Sequence, residues 1–177
     1  ESLMLFLMDI WDSVRGFMAS GGDVLWLVAG VLFVMWVLML ERYWYLNWVS
    51  PNAHKAIIAS WEAREDSTSW YAHRIREAWV SQAKQDLTAR MLLIKTLVAI
   101  CPMIGLLGTV TGMISVFDVM ATHGTSNARM MAAGISMATM PTMAGMVAAL
   151  SGVFFSTRLD AKMKISLAKL KDSLPHH

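Results

Sequence analysis

Cysteine is nearly missing from this sequence: Cys101 is the only one, so neither a disulfide framework nor a multi-cysteine metal site can be built. Charge is scarce as well. Of 177 residues, 16% are Asp, Glu, Lys or Arg against 56% hydrophobic, and two stretches, 96–117 (22 residues) and 130–157 (28 residues), carry no charge at all. Intramembrane proton relays normally need titratable groups, so these stretches exclude a relay through carboxylates of their own. A net charge of +2, with no basic face interleaved with stacking aromatics, gives no footprint for nucleic acid. His54, His73 and His123 lack metal-ligand spacing, and no nucleophile-base pair or phosphate loop occurs, so no metal, cofactor or enzymatic chemistry is expected. The opening ESLMLFLMDIWDSVRGF has no basic n-region or small-residue cleavage site and does not read as a secretory signal. The ends at Glu1 and His176-His177 suggest processing or an appended terminus.

What the sequence does contain is segregated apolar runs. Both uncharged stretches exceed the roughly 20 residues that cross a bilayer core. Residues 24–40 form a shorter run, bounded by Tyr43, Trp44, Tyr45 and Trp48, rings that favour the membrane interface. The expected fold class is therefore an all-α membrane protein with three transmembrane helices. Leu3, Phe6, Leu7, Ile10, Val14 and Phe17 recur at helical spacing beside Asp9, Asp12, Ser13 and Arg15, which predicts an amphipathic, interfacial N-terminal helix over 1–22. The first span is 23–46 with Asp23 placed to cap it, and a helical segment over 47–93 begins with Ser50 as cap and Pro51 at the first helical position.

Ser69 can cap a second helix in that segment, which meets no glycine or proline before Pro102 and need not stop before His123. The second span is 94–122, the turn 123–128 has Gly124 and Ser126 as its two caps, and the third span is 129–157. A helical tail over 158–177 continues the apolar stripe Leu159, Met163, Leu167, Leu170 and Leu174. Basic residues crowd 41–95 and the tail, whereas the other side has Arg15 and Arg129, so the N-terminus and the 123–128 turn are expected outside and the helical extensions in the cytoplasm.

The stretch CPMIGLLGTVTGMISVF carries Pro102, Gly105, Gly108 and Gly112, each a poor helix former in water. With Ser115 the three glycines share one helical face, and in the third span Gly134, Ala138, Thr142, Gly145 and Ala149 share another. Small faces of this kind let membrane helices approach closely. They are expected to exceed what one hairpin can use, so that several copies assemble as a ring. Pro102 and Pro141 each free a carbonyl that a hydroxyl, water or neighbouring helix must satisfy. Thr109 and Thr142 are the candidate hydroxyls of an ion path, for which another chain must bring the acid. Arg90, Lys95, Arg158 and Lys162 stand where the helices leave the apolar zone, as a polar cytoplasmic vestibule or as contacts to lipid headgroups.

At CPMIGLLGTVTGMISVF and GISMATMPTMAGMVAALSG the chain resembles the ExbB/TolQ/MotA family of proton-driven motor subunits, most closely its ExbB branch in a short form. The resemblance covers nearly the whole chain. It implies a homopentameric ring in the bacterial inner membrane, an ExbD-type single-span partner carrying the membrane aspartate, and a TonB-type transducer that energises outer-membrane import of iron-siderophores. It also implies that Thr109 and Thr142 are the hydroxyls facing that aspartate. In one place the sequence departs from the family: where many ExbB relatives have a glutamate in the third span, Met137 stands here. A TolQ-like motor subunit and a passive membrane scaffold are the competing readings.

Overall fold

The computed structural model describes residues 2–124 and 128–175, with the backbone alone for residues 17, 18, 20 and 21. The described elements are α1 (Ser2–Gly21), α2 (Asp23–Trp44), a π-helical turn (Tyr45–Val49), α3 (Ser50–Glu62), α4 (Trp70–Thr88), α5 (Met91–His123) and α6 (Ala128–Asp172). Three helical stretches are long and apolar enough to cross a membrane, within Asp23–Glu62, Trp70–His123 and Ala128–Asp172. The chain divides into two compact units, one of Glu1–Val34 with Leu97–Ser151 and one of Met35–Thr96 with Gly152–His177.

In the first unit α1 exposes Leu3, Phe6, Leu7, Ile10 and Val14 of the expected apolar face, and equally Met4, Leu5, Met8 and Trp11. From Leu3 to Met8 it is thus apolar all round, and charge enters only from Asp9 onward. Gly22, with φ of +73°, separates α1 from α2. Helix α2 begins at Asp23 itself, which places that carboxylate in the first turn instead of at the cap, still favourable toward the positive end of the helix dipole. Val28, Cys101 and Ala148 are buried together, with Val31, Leu32, Ile104, Ala144 and Ala149 packed around them. Both α5 and α6 continue through their prolines, Pro102 and Pro141. At the end of α5, Gly124 takes φ of +60° and its N–H donates to the carbonyl of Met120 at 2.9 Å, the left-handed stop that glycine supplies without a Cβ clash. Ser126, the expected cap of the next helix, lies outside the described residues.

The second unit is held by larger side chains. Trp61, Ala72, Val80, Ala83, Leu170 and Leu174 form a buried cluster against which Ile57, Ile58, Trp79 and Leu167 pack. Trp61 and Trp79 meet edge to face at 6.1 Å, and the Trp61 indole N–H donates to the Pro175 carbonyl at 3.0 Å. Arg76 donates to the carbonyls of Leu174 (2.6 Å) and Lys171 (2.9 Å), satisfying acceptors that a helix end leaves without partners. Leu159, Met163, Leu170 and Leu174 of the sequence stripe are buried. Ser69 caps α4 as expected, accepting from the Ala72 N–H at 3.1 Å. Its own hydroxyl bonds to the Asp66 carboxylate, chiefly for which reason that carboxyl is held below its ordinary range.

Two further sequence expectations fail here. Ser50 does not cap α3: the residue before the helix is Val49 in helical conformation, and the Ser50 N–H donates to the Tyr45 carbonyl five residues back. A wide turn of this type carries the chain past Pro51, which has no N–H to give, without an interruption. The helix expected from 70 to His123 is broken at Ala89-Arg90, where Ala89 is extended (φ −53°, ψ 137°) and Arg90 is left-handed (φ 65°).

Candidate functional site

The site is built where α5 and α6 run antiparallel in the first unit, and glycine makes it possible. A methyl group at Gly105 would stand 2.6 Å from the Pro141 carbonyl oxygen, and one at Gly112 2.8 Å from the Ala138 Cβ. A methyl at Gly145 would stand 2.5 Å from the Cys101 carbonyl oxygen, and one at Gly134 2.6 Å from a Val116 methyl. Gly108 lies against the Pro141 ring and Val24. The glycine faces are thus consumed by the hairpin and α2 themselves. This corrects the sequence argument for a ring: the small residues do not leave unsatisfied faces. Ala149 joins the Val28 cluster, and Ser115 alone of the two small faces is exposed. The surface α5 leaves open is large and apolar: Met103, Leu106, Val110, Ile114 and Phe117.

This close approach brings Thr109 and Thr142 together. Their hydroxyls are hydrogen-bonded to each other, and both reach the carbonyl of Gly105, Thr142 at 3.2 Å and Thr109 at 3.4 Å. Each hydroxyl has one proton and two lone pairs. Two protons can serve only two of the three contacts at once, one going to Gly105 and one to the partner hydroxyl. Both donors are then used, and what the pair has to spare is acceptor capacity. Both side chains are half-buried, so an incoming group can reach them.

Beside the pair, a cavity of about 670 Å³ is lined by Gly108, Gly112, Ser115, Ala138, Pro141 and Met137 among others. Met137, at the position where the family resemblance expects glutamate, is thus a thioether on the cavity wall and brings no charge to it. The carboxylate of Asp23 is the acid among the lining residues.

Each of the four cations expected at a vestibule or at lipid headgroups has a contact within the second unit. Arg90 reaches Glu41 at 3.4 Å and Lys95 reaches Asp160 at 3.8 Å. Lys162 donates to the Asn47 side-chain oxygen at 3.2 Å and sits 4.4 Å over the Tyr43 ring, while the Arg158 guanidinium stands 5.5 Å from the Phe154 ring. Sequence reasoning passed over the acids of this set. Glu41 takes a two-pronged bond from Arg42, at 2.8 and 2.7 Å, and Arg42, 5% exposed, also donates to the Asp86 carbonyl at 2.9 Å. The available signal was position: Glu41-Arg42 is the first charge pair after the 24–40 run, and Asp160 stands four residues before Lys164, which it pairs with at 3.6 Å. Among the described residues, no group of three or more His, Cys, Asp or Glu could hold a metal ion.

A family model described as the MotA/TolQ/ExbB proton channel family matches residues 49–172, well over half of the chain. The biopolymer transport protein ExbB-like 1 of Helicobacter pylori strain 26695 is 30% identical over 100 residues, 56% of this chain and 53% of that protein. Its counterpart in strain J99 is 29% identical over 100 residues with the same shares. The chain spans about half the length of the curated relatives it matches.

Proposed function

We propose, for a chain that belongs to the MotA/TolQ/ExbB proton channel family, that it is the multi-copy subunit of an ExbB-type motor in the bacterial inner membrane. The N-terminus and the 123–128 turn lie on the periplasmic side and the charged extensions in the cytoplasm, as the distribution of basic residues favours. Five copies surround single-span helices of an ExbD-type partner, and the assembly energises a TonB-type transducer for outer-membrane import. The driving force is about 2.3 kcal/mol per charge per 100 mV of membrane potential.

The observation that carries this reading is the Thr109–Thr142 hydroxyl pair closed over the Gly105 carbonyl. A protonated carboxylic acid brings a donor, and the pair has lone pairs free to receive it without losing either internal bond. An ionised carboxylate brings only acceptors, so one hydroxyl must turn away from its partner or from Gly105 to serve it. The pair therefore interacts differently with the two protonation states of a partner's aspartate, which is what coupling proton uptake to movement requires. The two runs that carry Thr109 and Thr142 hold no acid, and with the family resemblance this favours a partner's aspartate over Asp23, in the first turn of α2, as the titrating group.

The passive-scaffold reading has one observation in its favour: the hairpin satisfies its own glycine faces. A single experiment separates the two. Thr142→Val and Thr109→Val keep volume and β-branching while removing the hydroxyl. A hydrogen bond between neutral groups contributes about 0.5–1.5 kcal/mol, so proton-driven iron-siderophore uptake should fall about two- to tenfold at unchanged membrane abundance and ring formation. Thr125, in the 123–128 turn, lies outside the described residues. Thr122, exposed and bonded to the Asp118 carbonyl at 2.8 Å, serves as the control, and Thr122→Val should leave uptake intact. Wild-type uptake by the double valine variant at equal abundance would return the hairpin to a packing role.

A further inference from the structure

The cations at the charged ends of the apolar runs fall into two kinds. Arg90 and Lys95 face carboxylates of this chain, Glu41 and Asp160. Arg158 and Lys162 do not: among the described residues their contacts are an amide oxygen, the Tyr43 hydroxyl and aromatic rings. The two stand four residues apart on α6 and so on one helical face. Both line an open groove of about 470 Å³ in the second unit, and no carboxylate lines it among the described residues.

The rest of that groove is apolar and aromatic. Trp36 and Phe155 meet edge to face at 4.8 Å along its wall. Leu40 and Tyr43, on α2, also line it, and at 61% and 50% exposed they are left open by the described residues. Arg158 is the first charge after the 28 uncharged residues 130–157, and Tyr43 follows the 24–40 run almost directly. The groove therefore joins the end of two apolar runs to a doubly positive mouth with a phenol beside it. An acyl chain matches the first part, and a phosphate the second: guanidinium and ammonium donate to its oxygens, and charge-assisted bonds of this kind are the stronger ones. A zwitterionic lipid carries an ammonium that cancels its phosphate and leaves both positive charges of the pair uncompensated, whereas an anionic lipid such as phosphatidylglycerol compensates one of them.

We infer that the groove between Trp36–Tyr43 and Phe155–Lys162 is a binding site for an anionic phospholipid, its phosphate held by Arg158 and Lys162 and its acyl chain lying against Trp36, Leu40 and Phe155. This rests on the chain being membrane-embedded and not on the motor reading, so it stands or falls separately from the role of Thr109 and Thr142. Basic pockets between membrane helices recognise headgroups in this way.

The test is native mass spectrometry of the full chain in detergent with added phosphatidylglycerol or phosphatidylcholine of equal chain length. Phosphatidylglycerol should be retained preferentially. The Arg158→Gln, Lys162→Gln double variant should lose affinity for it about 25-fold, about fivefold per cation. The swapped pair Arg158→Lys, Lys162→Arg keeps the charge and should retain the lipid, which separates lost binding from lost folding. Lys169→Gln with Lys171→Gln, farther along α6, should bind as the wild type does. Equal retention of the two lipids, undiminished retention by the double glutamine variant, or displacement of phosphatidylglycerol by an acidic peptide at equal concentration would overturn the proposal.

Discussion

The two units of this chain reach close packing by opposite means. In the first, α5 and α6 meet through glycine, with Gly105, Gly112, Gly134 and Gly145 each so near the facing helix that a methyl group would lie under 3.0 Å from it. In the second, contact is made by Trp61, Leu170 and Leu174, large side chains removed from solvent, with Trp79 packed against them. The difference matches the surroundings proposed for each, lipid for the first and water for the second. Water drives big apolar side chains together, at about 25 cal/mol per Å² buried. Lipid offers no such drive, so helices in it gain attraction by bringing backbones close and by hydrogen bonds between hydroxyls and carbonyls. The glycine faces and the Thr109–Thr142–Gly105 bonds belong to that second kind of association.

The sharpest test of the comparison is Trp61→Ala. Trp61 is 3% exposed, and its indole N–H bonds to the Pro175 carbonyl. Removing a ring of that size from a water-driven core costs about 3–5 kcal/mol, measurable by thermal unfolding of the purified protein and by protease sensitivity of the 47–93 segment. A change below about 1 kcal/mol, less than any buried ring contributes, would mean that the cluster is not a core of the aqueous kind.

Smaller in effect, and opposite in logic, is the addition of one methyl group. Gly145→Ala places a Cβ 2.5 Å from the Cys101 carbonyl oxygen and 3.2 Å from the Gly105 Cα. Both are backbone atoms that cannot swing aside, so a loss of about 1–3 kcal/mol is expected. Gly30→Ala is the matched control, with nothing within 4 Å of the added methyl. It should gain about 0.5–1 kcal/mol from helix propensity. Equal responses of the two variants would break the comparison, because the glycines would then be indifferent to their neighbours.

How far the sequence discloses this depends on the type of signal. Charge gaps locate the helices that can cross a membrane, because burying a charge in lipid is costly at any fold. Glycine spacing places Gly105, Gly108 and Gly112 on one face, and that face is the one α6 occupies. Thr109 and Thr142 could be named as hydroxyls in apolar company, but their mutual bond depends on the register of α5 against α6, which no local pattern states. Partners distant in sequence, such as Glu41 with Arg90 or Lys95 with Asp160, are illegible for the same reason. The two helix boundaries that were misread have local causes with weak signatures. Ser50-Pro51 resembles a helix start and is passed by a π-turn, and QDLTARMLL contains nothing that announces a break, yet the chain turns left-handed at Arg90.

That break yields the smallest expected effect and a test by sign. The Arg90 carbonyl accepts the Ile94 N–H at 3.0 Å, so α5 starts from a residue with φ of 65°. An L-residue in this region crowds its Cβ against the following carbonyl, at about 1–2 kcal/mol, a cost glycine does not incur. Inside a continuous helix the ranking is reversed, alanine being favoured over glycine by about 1 kcal/mol. Arg90→Gly and Arg90→Ala both remove the guanidinium and its pair with Glu41 at 3.4 Å. That loss is common to both variants and cancels between them. Thermal unfolding in detergent should therefore find Arg90→Gly more stable than Arg90→Ala by about 1 kcal/mol. The opposite order would make residues 70–123 one uninterrupted helix. The helix that carries Ala72, Val80 and Ala83 of the Trp61 cluster would then run on into the one that carries Gly105, Gly108 and Gly112, with no left-handed stop between them.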